Sequence, residues 1–247
     1  MVSKPISLEG AANIRDFAGY RSGEGRIIAS GQFLRGDSPD SLSANDRERL
    51  LQYGVRRVVD LRGSEEVAMR PNPFADEPSV EFFHIDMYGA VPAKLFFRVN
   101  PRCLSELYVD LARYATEAVV AVFRILSDEG DGAVFFHCTA GKDRTGIIAA
   151  LLLSVLGIDR NTIINDYSVS RGYLDGVLHR IESTMPSSWD RATRESILAS
   201  TPDYIESFLE FIDGTWNGAE AYLRSSGLDP DSFSALRRKA FVDPGNS

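Results

Sequence analysis

A cysteine and an arginine lie six positions apart in residues 137–146, whose sequence is HCTAGKDRTG. An apolar run, residues 133–136, precedes this stretch, and a second apolar run, residues 147–156, follows it. The first run predicts a buried strand and the second predicts a buried helix. Cys138 and Arg144 are therefore expected in a loop between a strand and a helix.

Such a loop favours a bound phosphate group and an ionised thiol. Its backbone N–H groups and the positive end of the following helix dipole attract an anion. The same surroundings favour a thiolate, since cysteines at helix N-termini or beside cations have pKa values lowered to about 3.5–7.5. We therefore expect Cys138 to be a nucleophile and Arg144 to bind two phosphate oxygens with its planar guanidinium. Thr145 can hydrogen-bond the Cys138 sulfur, which would help that sulfur to leave.

The predicted phosphate-binding residues follow the cysteine, up to and including the arginine. They are Thr139, Ala140, Gly141, Lys142, Asp143 and Arg144. Gly141 lets the backbone turn tightly, and His137 supports the loop from the strand side. A lone cysteine is usually a small buried apolar residue, and a cysteine and an arginine at this spacing also occur by chance. The flanking strand and helix, with His137 and Gly141, favour the catalytic interpretation.

These residues predict hydrolysis of a phosphomonoester by covalent catalysis. Cys138 would attack the phosphorus in line and form a thiophosphate intermediate. Arg144 and the loop amides would stabilise the charge that develops on the equatorial oxygens. A general acid must protonate the leaving oxygen and later accept a proton from water. This mechanism requires no metal ion and no other cofactor.

The stretch HCTAGKDRTG resembles the signature loop of the cysteine-dependent protein tyrosine phosphatases. The form GKDRTG is most similar to the bacterial tyrosine phosphatases of the mycobacterial PtpB type, which have homologues in Listeria. Lipid phosphatases that act on phosphoinositides also carry a lysine at the position of Lys142. The resemblance covers about residues 13–241, through segments such as NIRDFAGY and DRNTIINDYS. It implies a protein tyrosine phosphatase, with dual-specificity or phosphoinositide activity as an extension.

Two aspartates compete for the role of general acid. The resemblance to PtpB-like enzymes implies Asp143, inside the signature loop, and we favour this residue. Most tyrosine phosphatases take the acid from a loop at the end of a strand, which here implies Asp86. Asp143 also has an ordinary explanation, because the helix dipole stabilises an aspartate at a helix N-terminus.

Alternating strand and helix patterns predict an α/β fold with a central, mostly parallel sheet of about four to five strands flanked by helices. The resemblance adds a protein tyrosine phosphatase-like topology. Strands predicted at residues 55–61 and 80–86 end at the carboxyl edge of the sheet, where ligands bind. Asp60 and Arg62 could therefore face the pocket, or they could form a buried structural ion pair. His84 is interpreted as a core or supporting histidine.

The helical segments show the expected start and stop residues. Residues 41–53 predict a helix with Ser43 as its N-cap. Residues 104–127 predict one long helix or two joined helices. Residues 202–225 and 229–241 predict the last helices, with breaks at Gly214, Gly218 and Gly227.

The whole chain, residues 1–247, is predicted to be one phosphatase domain. A loosely held arm is expected at residues 1–12. The resemblance implies a helical lid over the pocket at residues 174–201, and ordinary core helices are the alternative.

Composition excludes several classes of protein. The formal net charge of -8 argues against a protein that coats nucleic acid or an anionic membrane. No run reaches the roughly 18 apolar residues expected of a membrane span, so no stable membrane insertion is predicted. The only cysteines, Cys103 and Cys138, argue against a disulfide framework or a structural zinc site and suit a reducing compartment. No signal peptide is visible, so a cytoplasmic location is expected, and export by another route stays open.

The expected partners are a phosphotyrosine protein or a phosphoinositide as substrate, and the phosphate ion as product. Lys142 could meet a second anionic group beside the scissile phosphate, which a phosphoinositide ring can carry. A phosphate-binding module without turnover is an alternative, although an intact set of Cys138, Arg144 and an aspartate argues against it. A rhodanese-like sulfur transferase would explain Cys138 but not Asp143 or the Thr145–Gly146 continuation. An arsenate reductase of this mechanism would need partner cysteines, and Cys103 is a poor candidate from its position in the sequence.

Overall fold

A computed structural model describes residues 3–91, 104–176 and 190–241 of the chain. Its strands form one five-stranded sheet: β1 Arg15–Asp16, β2 Phe33–Gly36, β3 Val55–Asp60, β4 Glu81–His84 and β5 Ala133–His137. The spatial order is β1-β2-β5-β3-β4, in which β2, β5, β3 and β4 run parallel. The edge strand β1 pairs antiparallel with β2. The predicted mostly parallel α/β sheet is therefore confirmed.

Helices follow the parallel strands and cover the sheet. The α-helices of the described residues are α1 Ala44–Gln52, α2 Ser64–Met69, α3 Leu104–Tyr114, α4 Thr116–Ser127, α5 Asp143–Val155, α6 Arg160–Ser168, α7 Ser170–Tyr173, α8 Arg191–Leu198, α9 Pro202–Trp216, α10 Ala219–Ser225 and α11 Pro230–Ala240. Short 3-10 turns lie at Pro39–Ser41 and Leu174–Gly176. None of these described helices has the length and apolar character needed to cross a bilayer.

The two faces of the sheet are covered unequally, and the strand sequences show why. Successive strand residues point to opposite faces. Leu34 and Phe135 face a small cluster that includes Leu50 of α1. Phe33 and Phe136 face a much larger cluster that contains α5 and most of the later helices. Every residue of β5 is buried, as expected of a central parallel strand covered on both sides.

The carboxyl ends of the parallel strands meet at one edge of the sheet. Gly36, His137, Asp60 and His84 are register partners at the ends of β2, β5, β3 and β4. The loops that follow these strands are therefore neighbours in space. Cys138 comes directly after β5, so this edge is where a phosphate site has to lie.

Several local predictions are confirmed and others are wrong. Ser43 caps α1, accepting a hydrogen bond from the Asp46 amide at 3.1 Å. His84 is exposed rather than in the core, but it fits the other interpretation, a supporting histidine, because its imidazole bonds the Arg62 carbonyl at 2.8 Å. Gly214 does not break the helix as predicted, because it lies inside α9. The helix ends at Trp216, and its C-cap Asn217 has the left-handed conformation.

The predicted loosely held N-terminal arm is also wrong for the described residues from 3 onward. The Asp46 carboxylate accepts hydrogen bonds from the Glu9 and Gly10 amides, and Asp37 accepts one from the Ala12 amide. Of the predicted lid, residues 177–189 lie outside the described residues. Residues 92–103, which contain Cys103 and most of a predicted loop, also lie outside them.

Candidate active site

The signature loop joins β5 to α5 at the carboxyl edge of the sheet, as its flanking apolar runs predicted. The Cys138 side chain is buried, with 2% of its surface exposed. Gly141 has a φ of 65°, and a Cβ there would lie 2.2 Å from the Gly36 carbonyl carbon. Only glycine fits this position, because another side chain would be strained and would overlap the end of β2.

Arg144, in the first turn of α5, is held by a carboxylate that we did not predict. Its Nη1 lies 2.5 Å and its Nη2 3.0 Å from the two carboxylate oxygens of Glu66 in α2. Burial opposes the charge of Glu66, but the bonds and charge of Arg144 outweigh it and lower the pKa of the Glu66 carboxyl to about 2. Thr139 also donates to Glu66, and the Tyr88 ring covers the guanidinium at 4.3 Å.

Two buried donors of the loop have no hydrogen-bond partner among the described residues. They are the Nε of Arg144 and the hydroxyl of Thr145. A buried donor without an acceptor is costly, by about 1–3 kcal/mol. Thr145 therefore does not make the expected hydrogen bond to the Cys138 sulfur in this arrangement. Both atoms belong to predicted site residues, and a bound ligand is the natural acceptor for the Arg144 donor.

His137 supports the loop from inside the sheet. Its ring contacts the Asn72 amide at 2.8 Å and the Cys138 carbonyl at 3.1 Å. Burial lowers the pKa of His137 and favours its neutral form. Asp60 lies 3.7 Å from His137 and 2.6 Å from Arg62, which makes Asp60 and Arg62 a buried ion pair behind the histidine. Asp60 and Arg62 are therefore better explained as a buried structural ion pair than as residues that face the pocket.

Asp143 begins α5 and is bound through one oxygen. Its Oδ1 accepts hydrogen bonds from the Tyr108 hydroxyl and, at 2.7 Å, from the Lys142 ammonium. Tyr108 in turn contacts the Tyr167 hydroxyl at 2.6 Å. Burial, followed by the charge of Asp143, raises the pKa of Tyr108, which therefore remains a hydroxyl donor.

Lys142 is not open to a ligand in this arrangement. Only 2% of its side chain is exposed, and its ammonium also donates to the Ala199 carbonyl at 2.9 Å. Ala199 follows α8, so the described end of the predicted lid contacts the signature loop. The expectation that Lys142 faces a second anionic group therefore requires this contact to break.

Asp86 is occupied by backbone amides. One oxygen accepts from Ser64 at 3.1 Å, and the other accepts from Tyr88 and Gly89, both at 2.9 Å. These bonds join the loop after β3 to the loop after β4. This arrangement gives Asp86 a role in loop structure, because backbone amides bind both of its oxygens.

Comparison with known proteins identifies the family. The model of a tyrosine phosphatase family matches residues 6–242. The chain belongs to this family. It is similar to a tyrosine-protein phosphatase of Nostoc commune, with 30% identity over 85% of this chain and 74% of that protein. It is also similar to the triple specificity protein phosphatase PtpB of Mycobacterium tuberculosis, with 25% identity over 93% of this chain and 96% of that protein.

Among solved structures, the phosphatase is similar to P. aeruginosa TpbA in complex with pTyr. That similarity covers 79% of this chain and 95% of TpbA at 16% identity, with a TM-score of 0.38. A similarity this low adds nothing to the fold or the site. The expected membership of a bacterial tyrosine phosphatase family is nevertheless confirmed by the match along the sequence.

The structure adds charged residues around the phosphatase loop that sequence reasoning missed. Glu66 joins the predicted Lys142, Asp143 and Arg144, and we call these four residues the mouth cluster. A second group lies on the side of the loop toward β1 and β2, and we call it the rear cluster: Arg15, Arg35 and Asp166. Asp166 contacts Arg35 at 2.5 Å and Arg15 at 3.3 Å, and all three side chains are at most 1% exposed.

A sequence signal existed for the rear cluster. An arginine inside the otherwise apolar strand Phe33–Gly36 is unusual, because a buried charge needs a partner. Burial would raise the pKa of Asp166, but Arg15 and Arg35 hold it below its usual range. Glu66 gave no comparable signal, since a glutamate in the first turn of an exposed helix is common.

Proposed function

We propose that this phosphatase hydrolyses phosphotyrosine esters through a covalent phosphate intermediate on Cys138. The observation that carries the proposal is the set of hydrogen-bond partners of Arg144. Glu66 holds both of its Nη atoms, while its buried Nε has no partner among the described residues. A phosphate oxygen beside the Cys138 sulfur would satisfy that donor, and the Glu66 pair keeps the guanidinium in place for it.

The reaction proceeds in two balanced steps. The Cys138 thiolate attacks phosphorus, the bond from phosphorus to the ester oxygen breaks, and a general acid gives that oxygen its proton. Water then attacks the phosphocysteine, the same residue takes the water proton, and the thiolate leaves. Arg144 and the loop amides stabilise the equatorial oxygens in both steps. Because the thiol must stay reduced, we propose a reducing compartment, the cytoplasm, as the site of action.

We propose Asp143 as the general acid. Tyr108 and Lys142 both bind Oδ1, so Oδ2 is the oxygen that can carry a proton to the leaving group. Asp86 is the poorer candidate, since backbone amides bind both of its oxygens. Tyr108 then acts as a positioning residue that fixes the direction of the Asp143 carboxyl group.

We propose phosphoinositides as a second substrate class. The support is Lys142, whose ammonium is buried in the loop and is retained there by Asp143 and the Ala199 carbonyl. If the Ala199 contact opens, the ammonium becomes available to a second phosphate on an inositol ring. The relative from M. tuberculosis is named for triple specificity, which agrees with a broad substrate range.

The main test replaces Cys138 by serine. Cys138→Ser is expected to abolish turnover of p-nitrophenyl phosphate and of a phosphotyrosine peptide, by about 10⁴-fold or more. Vanadate should still bind in part, since the loop amides and Arg144 remain. Cys103→Ser is the matched control, and it also leaves Cys138 as the only thiol for iodoacetate labelling, from which phosphate should protect it. Substantial turnover by Cys138→Ser would overturn the assignment of the nucleophile.

The substrate range is tested with Lys142→Ala. We expect this variant to lose more activity toward a phosphoinositide than toward a phosphotyrosine peptide, because only the phosphoinositide offers a second phosphate. Equal losses on both substrates would show that Lys142 acts through Asp143 alone. That result would remove the case for the lipid substrate and leave the phosphotyrosine activity intact.

A further inference from the structure

We infer that Asn13 and Arg35 are positioning residues that aim the backbone amides of the signature loop at the phosphate. The inference rests on the proposed function, since it assumes that the loop binds an oxyanion. It assigns a role in catalysis to two residues outside the loop: Asn13, which precedes β1, and Arg35, which lies in β2.

Three successive carbonyl groups of the loop are bound from outside it. The Ser38 amide donates to the Thr139 carbonyl at 3.1 Å. The Asn13 side-chain amide donates to the Ala140 carbonyl at 3.0 Å and to the Gly141 carbonyl at 3.3 Å. The Nη2 of Arg35 donates to the Gly141 carbonyl at 2.7 Å.

These bonds fix the direction of the neighbouring N–H groups. In a trans peptide, the carbonyl oxygen of one residue and the N–H of the next point in opposite directions. When the carbonyls of residues 139, 140 and 141 turn toward the rear of the loop, the N–H groups of residues 140, 141 and 142 turn away from it. They then point into the loop, where an oxyanion binds.

The donors themselves are fixed by the rear cluster. Asp166 contacts Arg35 at 2.5 Å. Arg15 donates to the side-chain oxygen of Asn13, which leaves the Asn13 amide group free to turn toward the loop. Arg15 also donates to the Asp166 carbonyl at 2.7 Å. Asn13, Arg15 and Arg35 are fully buried, so water cannot replace a lost donor without a change in packing.

The experiment distinguishes an effect on the direction of the loop amides from an effect on the stability of the fold. Asn13→Ala removes the donor without adding charge, and Asn13→Asp keeps the acceptor for Arg15 while it removes the donor. Tyr20→Phe is the matched control, because it deletes two hydrogen bonds without touching the loop: the hydroxyl donates to Asp166 at 2.9 Å and accepts from the Ser3 amide at 3.2 Å. Each variant is characterised by its melting temperature, its affinity for vanadate, and kcat and KM for p-nitrophenyl phosphate.

Both Asn13 variants are expected to bind vanadate at least about 10-fold more weakly than the wild type and to lose kcat by a similar factor. Tyr20→Phe is expected to match them in melting temperature while it keeps the affinity for vanadate. Arg35→Lys, which retains a charge beside Asp166 but loses the guanidinium fork, is expected to behave like the Asn13 variants and serves if these fail to fold.

Two other results have different meanings. If the wild type binds vanadate but the Asn13 and Arg35 variants lose no more affinity than Tyr20→Phe, the amides are aimed by the loop alone and the inference is overturned. If the wild type neither binds vanadate nor hydrolyses the ester, the proposed function itself fails.

Discussion

Two charged clusters border the phosphate site, one including residues of the signature loop and one behind it. They contain similar residues in different surroundings. The rear cluster places two arginines around the one carboxylate of Asp166, with side chains at most 1% exposed. The mouth cluster pairs each cation with its own carboxylate. There the Asp143 side chain is 20% and the Glu66 side chain 34% exposed.

The difference in solvent exposure separates stability from activity. Removing one partner of a buried ion pair leaves an uncompensated charge in the protein, whereas a partly exposed charge is solvated by water. The rear cluster should therefore govern the free energy of unfolding together with the geometry of the loop. The mouth cluster should govern the reaction with little effect on the fold.

The largest expected effect is on stability, from Asp166→Asn. This change leaves Arg15 and Arg35 buried without their counter-ion and should lower the free energy of unfolding by about 3–5 kcal/mol. Urea unfolding followed by circular dichroism measures it. The matched control is Asp175→Asn, which breaks an exposed ion pair with Arg171 and should cost less than about 1 kcal/mol. Equal losses for the two variants would show that burial of the rear cluster does not raise the cost of losing its carboxylate.

The next effect is on the reaction, from Asp143→Asn in the mouth cluster. An amide cannot protonate the leaving oxygen, so kcat for an alkyl phosphate should fall by about 100-fold or more. The kcat for p-nitrophenyl phosphate should fall much less, because p-nitrophenolate leaves without a proton. Tyr108→Phe should show the same dependence on the leaving group to a smaller degree, and Tyr114→Phe, on an exposed ring, should show none. A uniform loss on both esters would argue against Asp143 as the acid.

Much of the site could be predicted because the residues that indicate it are close together in the sequence. The loop, the strand before it and the helix after it form one continuous stretch, and their periodicity and glycine content suffice. The carboxyl edge of a parallel sheet also follows from strand order, which brought Asp60, Arg62 and Asp86 to the right place. The roles of these three residues could not be predicted, since they depend on which amides and cations surround each carboxylate.

The residues that were missed depend on long-range contacts. Glu66 meets Arg144 only because the fold brings the first turn of α2 to the first turn of α5, at a separation of 78 residues. Asn13 reaches the Ala140 carbonyl across 127 residues. His84 was misplaced because a histidine between apolar strand residues suggests burial, whereas β4 is an edge strand with exposed ends. The periodicity of the sequence does not predict contacts between residues so far apart in the chain.

A smaller effect on the reaction is expected from Glu66→Gln. Loss of the charged hydrogen bonds should let the Arg144 guanidinium move and lower kcat/KM for a phosphotyrosine peptide by about 10-fold. The loss of stability should be smaller than for Asp166→Asn, because the Glu66 side chain is 34% exposed, although the Arg144 side chain that it leaves behind is only 6% exposed. Glu65→Gln is the matched control, since Glu65 is the exposed neighbour in the same helix, and it should behave as the wild type. A Glu66→Gln variant that unfolds easily but reacts normally would give Glu66 a role in stability alone.

The smallest effect is a dependence of stability on pH that comes from the same glutamate. The pKa of Glu66 is lowered from 4.5 to about 2 in the folded protein. A carboxyl group with a depressed pKa stabilises the fold above its unfolded pKa and loses that contribution as the pH falls through the folded value. The wild type should therefore lose more stability than Glu66→Gln between about pH 4.5 and pH 2. Because a third of the side chain is exposed, screening by solvent limits the difference to about 1 kcal/mol or less. Denaturation of the two proteins by urea at a series of pH values measures it, and parallel curves would show that Arg144 does not depend on the charge of Glu66.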